Sequence, residues 1–130
     1  MKLIDIINIE YISSSQVTEQ YRAAKRAFKR EMKKLFSGDE ILIDSCPHFE
    51  FDGMIKRENS YVYFSTGDLR HRIMNFMLVR TAKHDKDWTG GSNNFVKYDS
   101  DFDEKFKEKV DYLFECQKEL KVTAVQLEVQ

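Results

Sequence analysis

Residues 76–98 read FMLVRTAKHDKDWTGGSNNFVKY, and the way this stretch divides points to the fold. Residues 76–82 are an apolar run ending in polar groups, the pattern of a buried strand. Residues 95–98 (FVKY) are a second, shorter run with the same character. Between them lies a polar loop, 83–94, longer than a hairpin needs. Strand, loop and return strand make an antiparallel hairpin, so the sheet to which it belongs is antiparallel in that part.

Working upstream, residues 61–65 (YVYFS) are aromatic and β-branched, and 48–56 alternate through Phe49, Phe51 and Met54. Both predict strands. Residues 57–60 form the turn between them, where Asn59 suits a positive φ. Residues 40–44 (EILID) predict another short strand, and 69–75 fit either one helical turn or a basic loop. Residues 16–36 carry Val17, Tyr21, Ala24, Phe28, Met32 and Leu35 at gaps of three and four, which is one face of an α-helix. Ser13 and Gln16 have capping-box spacing, and Gly38 supplies the stop. Before this helix, Leu3, Ile7, Ile9 and Tyr11 share one parity against Asn8 and Glu10, which predicts a strand over 3–12.

Downstream, Ser100 with Asp103 resembles a capping box, and Asp101, Asp103 and Glu104 suit the positive end of a helix dipole. Phe102, Phe106, Val110 and Leu113 then mark a second helix. Residues 122–130 alternate through Val125, Leu127 and Val129, which predicts a C-terminal strand. The expected order is β-α-β-β-β-β-β-α-β: an α+β fold, a single domain over residues 1–130, with a mostly antiparallel sheet flanked by two α-helices.

Apolar residues at 42% and aromatics at 13% provide a core for a chain of 130 residues, and one Pro leaves little room for a linker. No run approaches the ~18 apolar residues of a membrane helix, so no membrane partner is expected. The N-terminal run lacks the apolar centre and cleavage site of a secretory signal. Cys46 and Cys116 stand alone and read as reduced thiols, which agrees with a cytoplasmic protein.

Charge is uneven. Residues 1–38 hold eight Lys/Arg against four Asp/Glu, whereas 99–130 hold five against nine. The basic excess sits on one helix face: Arg22, Lys25, Arg26, Lys29, Arg30, Lys33 and Lys34. Such a stripe serves either solvation or phosphate binding. In the 83–94 loop, Gly90 and Gly91 allow close backbone approach, Trp88 offers a stacking surface, and Asn93 offers an amide beside Arg80 and Lys83. The bland alternative is that Trp88 plugs the core and the rest is a turn.

These features favour a small non-enzymatic binding protein. Arg22, Lys25, Arg26, Lys29, Arg30, Lys33, Arg80, Lys83, Trp88, Gly90, Gly91 and Asn93 would hold a nucleic-acid backbone. No catalytic residue, metal site or cofactor is assigned, since no nucleotide fingerprint, zinc spacing or nucleophile elbow occurs. One alternative is a binder that inhibits or modulates a protein partner; in style the chain resembles accessory proteins of phages and mobile elements. Another is a small metal-dependent hydrolase or nuclease using His84, Asp85 and Asp87. A terminal strand at 122–130, left at an edge, would also pair with a second copy into a homodimer.

Overall fold

The computed structural model describes residues 1–11, 18–43, 49–70, 74–87 and 90–129, with side-chain surroundings to residue 120. Helices α1 (Leu3–Ile7) and α2 (Glu19–Leu35) come first. Five strands follow: β1 (Glu40–Ile43), β2 (Asp52–Arg57), β3 (Ser60–Ser65), β4 (Phe76–Ala82) and β5 (Asn94–Lys97). Helix α3 (Phe102–Val129) ends the chain. The strands form one antiparallel meander in the order β1-β2-β3-β4-β5. The class is α+β, as the patterning indicated, but helices occupy both ends of the element order.

Because side chains alternate across a strand, register alone assigns the two faces. Ile41, Ile55, Val62, Phe64, Met77, Val79 and Val96 point to one side, where they share one core with buried residues of all three helices. At the centre, Phe28 of α2 lies 4.7 Å from the Phe51 ring and 6.1 Å from the Phe64 ring, all three fully buried. Each such side chain contributes roughly 2–3 kcal/mol by removal from water. The opposite face holds a smaller cluster of Met54, Tyr63 and Ala82, with Leu42, Tyr61 and Leu78 against it.

Several expectations are corrected. Residues 3–7 are helical, not the start of a strand. Leu3, Ile4, Ile6 and Ile7 are all buried in the main core. A strand would send Leu3 and Ile4 to opposite faces, whereas spacing of one, three and four on a helix brings all four to the same side. Asp103 completes the helix from the other end of the chain, accepting the Leu3 and Ile4 N–H groups at 2.8 and 3.1 Å. The carboxylate expected to cap α3 therefore satisfies two orphan donors of α1.

Helix α2 begins at Glu19 with Thr18 as its cap, whose hydroxyl accepts the Tyr21 N–H at 3.2 Å. The capping-box pair Ser13 and Gln16 lies outside the described residues. In the β2–β3 turn it is Glu58, not Asn59, that takes the positive φ, at 56°. The predicted C-terminal strand over 122–130 is instead the continuation of α3 to Val129. Val122, Val125 and Val129 also recur at helical spacing. Extending an existing helix needs no new nucleus, while a lone strand needs an edge to pair with.

Arg57, at the end of β2, ties the connection before β1 to helix α3. Its guanidinium donates to Asp39 at 2.8–3.2 Å and to Asp111 at 2.9 Å, and lies 4.4 Å from the centre of the Phe114 ring. These hydrogen bonds, those to Asp39 first, raise the Arg57 pKa above its ordinary value.

Candidate functional site

Helix α2 buries Tyr21, Ala24, Phe28 and Met32. The same periodicity turns Arg22, Arg26, Lys29, Arg30, Lys33 and Lys34 outward, all exposed, with Lys25 half-buried beside them. Two acids on the helix offset part of this charge. Glu19 takes Arg26 at 2.9 Å and Arg22 at 3.9 Å, and Glu31 takes Lys34 at 3.3 Å. The hydrogen bond and charge of Arg26 hold the Glu19 carboxyl below its usual value. Lys29, Arg30 and Lys33 have no ion-pair partner among the described residues. Together with Arg26, Lys34 and Ser37 they border an open groove of about 570 Å³.

The β4–β5 loop is organised by its own side chains. The Lys83 N–H donates to Asp87 Oδ2 at 2.9 Å, and the Lys86 N–H donates to His84 Nδ1 at 3.2 Å. The Asp87 N–H closes the turn on the His84 carbonyl at 3.1 Å. Gly91 has φ 76°, and a Cβ there would sit 2.5 Å from the Thr81 carbonyl oxygen. A Cβ on Gly90 would strike the Asp87 carboxylate. These glycines let the loop fold back on β4. His84 and Asp87 have turn-forming bonds, and no three His, Cys, Asp or Glu side chains among the described residues converge to hold a metal ion. Trp88 lies outside the described residues.

Arg80 belongs to the face of the sheet away from the helices. Its guanidinium lies 4.5 Å from the centre of the Tyr63 ring, and Nη1 reaches Asn93 Oδ1 at 3.4 Å. Burial, followed by the negative charge of Asp52, raises the Tyr63 pKa. The proposed binding residues therefore separate into two groups. The α2 stripe covers one side of the molecule, and Arg80 with Asn93 lies across the sheet from it. Parity from β3 to β4 could have exposed this division, since Arg80 is in register with Tyr63 rather than with the core residue Phe64.

A third feature escaped the sequence reading. Phe95 on β5 and Tyr112 on α3 are 55% and 60% exposed, and they border a groove of about 560 Å³ between edge strand and helix. They are seventeen positions apart in sequence, so neither periodicity nor local composition connects them.

Compared with protein-family models, curated proteins and solved structures, the chain matches none.

Proposed function

We propose that the protein is a non-enzymatic module that holds a nucleic-acid backbone along the outward flank of α2. The observation that carries this reading is the trio Lys29, Arg30 and Lys33, exposed on one flank without carboxylate partners among the described residues. Ion-paired cations gain little by exchanging a carboxylate for a phosphate, whereas cations without such partners gain the full interaction and release condensed counterions. From Arg22 to Lys33 the stripe runs about 16 Å at ~1.5 Å per residue, roughly the rise of five base pairs. The chain's net charge of −1 makes attraction local to this flank.

Binding of labelled duplex DNA, single-stranded DNA and RNA, followed by fluorescence anisotropy across a salt series, tests the reading. If the trio alone engages phosphates on duplex DNA, log K against log salt has a slope of about −2.7. Recruitment of Arg22, Arg26 and Lys34 steepens it. Reversing the trio (Lys29→Glu, Arg30→Glu, Lys33→Glu) should reduce the slope by about 2.7 and weaken binding to all sequences alike. Equal affinity and slope in the wild type and this variant would overturn the proposal.

A further inference from the structure

We propose that the open edge of β5 is a homodimer interface, at which two copies join their sheets antiparallel across a two-fold axis at Val96. β5 ends the sheet, so among the described residues one side of its backbone has no strand neighbour. Which groups face outward follows from the ladder. The Tyr98 N–H donates to the Asn75 carbonyl at 3.0 Å, continuing the register that pairs Phe76 with Lys97 and Met77 with Val96. In an antiparallel ladder, bonding residues alternate with non-bonding ones. Val96 therefore points its N–H and C=O toward β4, while Phe95 and Lys97 point theirs to the open edge. Neither has a hydrogen-bond partner outside the sheet among the described residues.

Two-fold pairing about Val96 sets Phe95 opposite Lys97 of the second copy, and Lys97 opposite its Phe95. Each pair exchanges two N–H···O=C bonds, giving four across the join. The side chains of each pair lie on one face, about 5 Å apart at Cβ, so the ammonium can rest on the aromatic ring. A lysine on an edge ordinarily deters pairing through like-charge repulsion. This register avoids that, because the two Lys97 residues are not opposite each other.

Charge selects a second copy over a foreign segment. The groove beside β5 carries Lys97, Lys105 and Lys109 together with Asp99, Asp101 and Glu108. These three cations and three anions balance, so the groove offers no net attraction to a peptide of either sign. In the two-fold register the Lys97 of each copy meets the Phe95 ring of the other, so the contact is self-complementary, as an isologous contact requires. Phe95 and Tyr112 add exposed apolar area beside β5.

Sedimentation or light scattering over a concentration series should give twice the 15.5 kDa chain mass. Lys97→Pro removes an outward N–H while leaving the bonds of β5 to β4, and Tyr112→Glu charges the groove from the helix side. Both variants should be monomeric with an unchanged circular dichroism spectrum. Wild-type monomer at every concentration overturns the proposal and leaves the groove to an extended segment of another chain. A dimer that survives both substitutions overturns it equally, by placing the contact elsewhere.

Discussion

Removing the Asp103 carboxylate should loosen the N-terminus of the protein from a position one hundred residues away. Asp103 accepts the Leu3 N–H at 2.8 Å and the Ile4 N–H at 3.1 Å, both partly buried. Hydrogen bonds to an ionised group contribute roughly 1.5–3 kcal/mol each, and loss of a helix cap costs about 0.5–2 kcal/mol. Both bonds end on one carboxylate, so their contributions do not simply add. Asp103→Ala should cost about 2–3 kcal/mol, a large fraction of the stability of a domain this size. Five residues cannot sustain a helix alone, so α1 depends on this anchor and on Leu3, Ile4, Ile6 and Ile7 in the core. Asp103→Asn keeps one acceptor oxygen and should recover about half the loss. Neighbouring Glu104 lies 3.9 Å from Lys2 with both side chains mostly exposed. Its replacement by Gln should cost under about 0.5 kcal/mol. Urea denaturation gives the free energies, and hydrogen exchange at the Leu3 and Ile4 amides reports the anchor directly. Asp103→Ala within about 0.5 kcal/mol of wild type, with unchanged exchange at those amides, would refute the reasoning.

Gly53→Ala should destabilise by about 3 kcal/mol or more, because its Cβ would strike the Leu42 carbonyl and lie 2.9 Å from the Ile43 Cα, so β1 and β2 must separate; thermal melting within a few degrees of wild type would contradict this. Burial alone would raise the Asp111 pKa, but hydrogen bonds from Lys107 and Arg57 outweigh it and hold the carboxyl below its usual value. A depressed pKa adds stability that is present above the unfolded value, near 3.9, and is lost as pH falls through the folded value. The stability gap between wild type and Asp111→Asn should therefore be larger at about pH 7 than at about pH 3, and a gap that does not change with pH would count against the ion pair.

The candidate surfaces were legible to different degrees for physical reasons. The α2 stripe could be read because a helix separates its faces by sequence position alone. Burying Tyr21, Ala24, Phe28 and Met32 leaves the cations outside whatever the helix packs against. The β4–β5 loop could be located, but the work of its residues could not. Gly91 is constrained by Thr81, and His84 and Asp87 bond within the turn, so residues that suggested chemistry have local structural partners. The Phe95–Tyr112 groove was invisible because its walls come from an edge strand and a helix whose docking no local pattern specifies.

Short-range order was enough for α2, for the boundaries of β4 at Phe76–Ala82 and for the antiparallel strand sequence that follows α2, since each rests on a periodicity repeated over several residues. The two termini were beyond its reach. Residues 3–7 contain isoleucines that satisfy strand and helix patterns alike, and 122–129 contain valines that do the same. For α1, tertiary structure settled the choice: a core that accepts Leu3, Ile4, Ile6 and Ile7 from one direction, and the Asp103 carboxylate placed at the Leu3 and Ile4 N–H groups. For the C-terminus it was continuity with α3, which propagates one bond per residue where a strand would have had to find a partner.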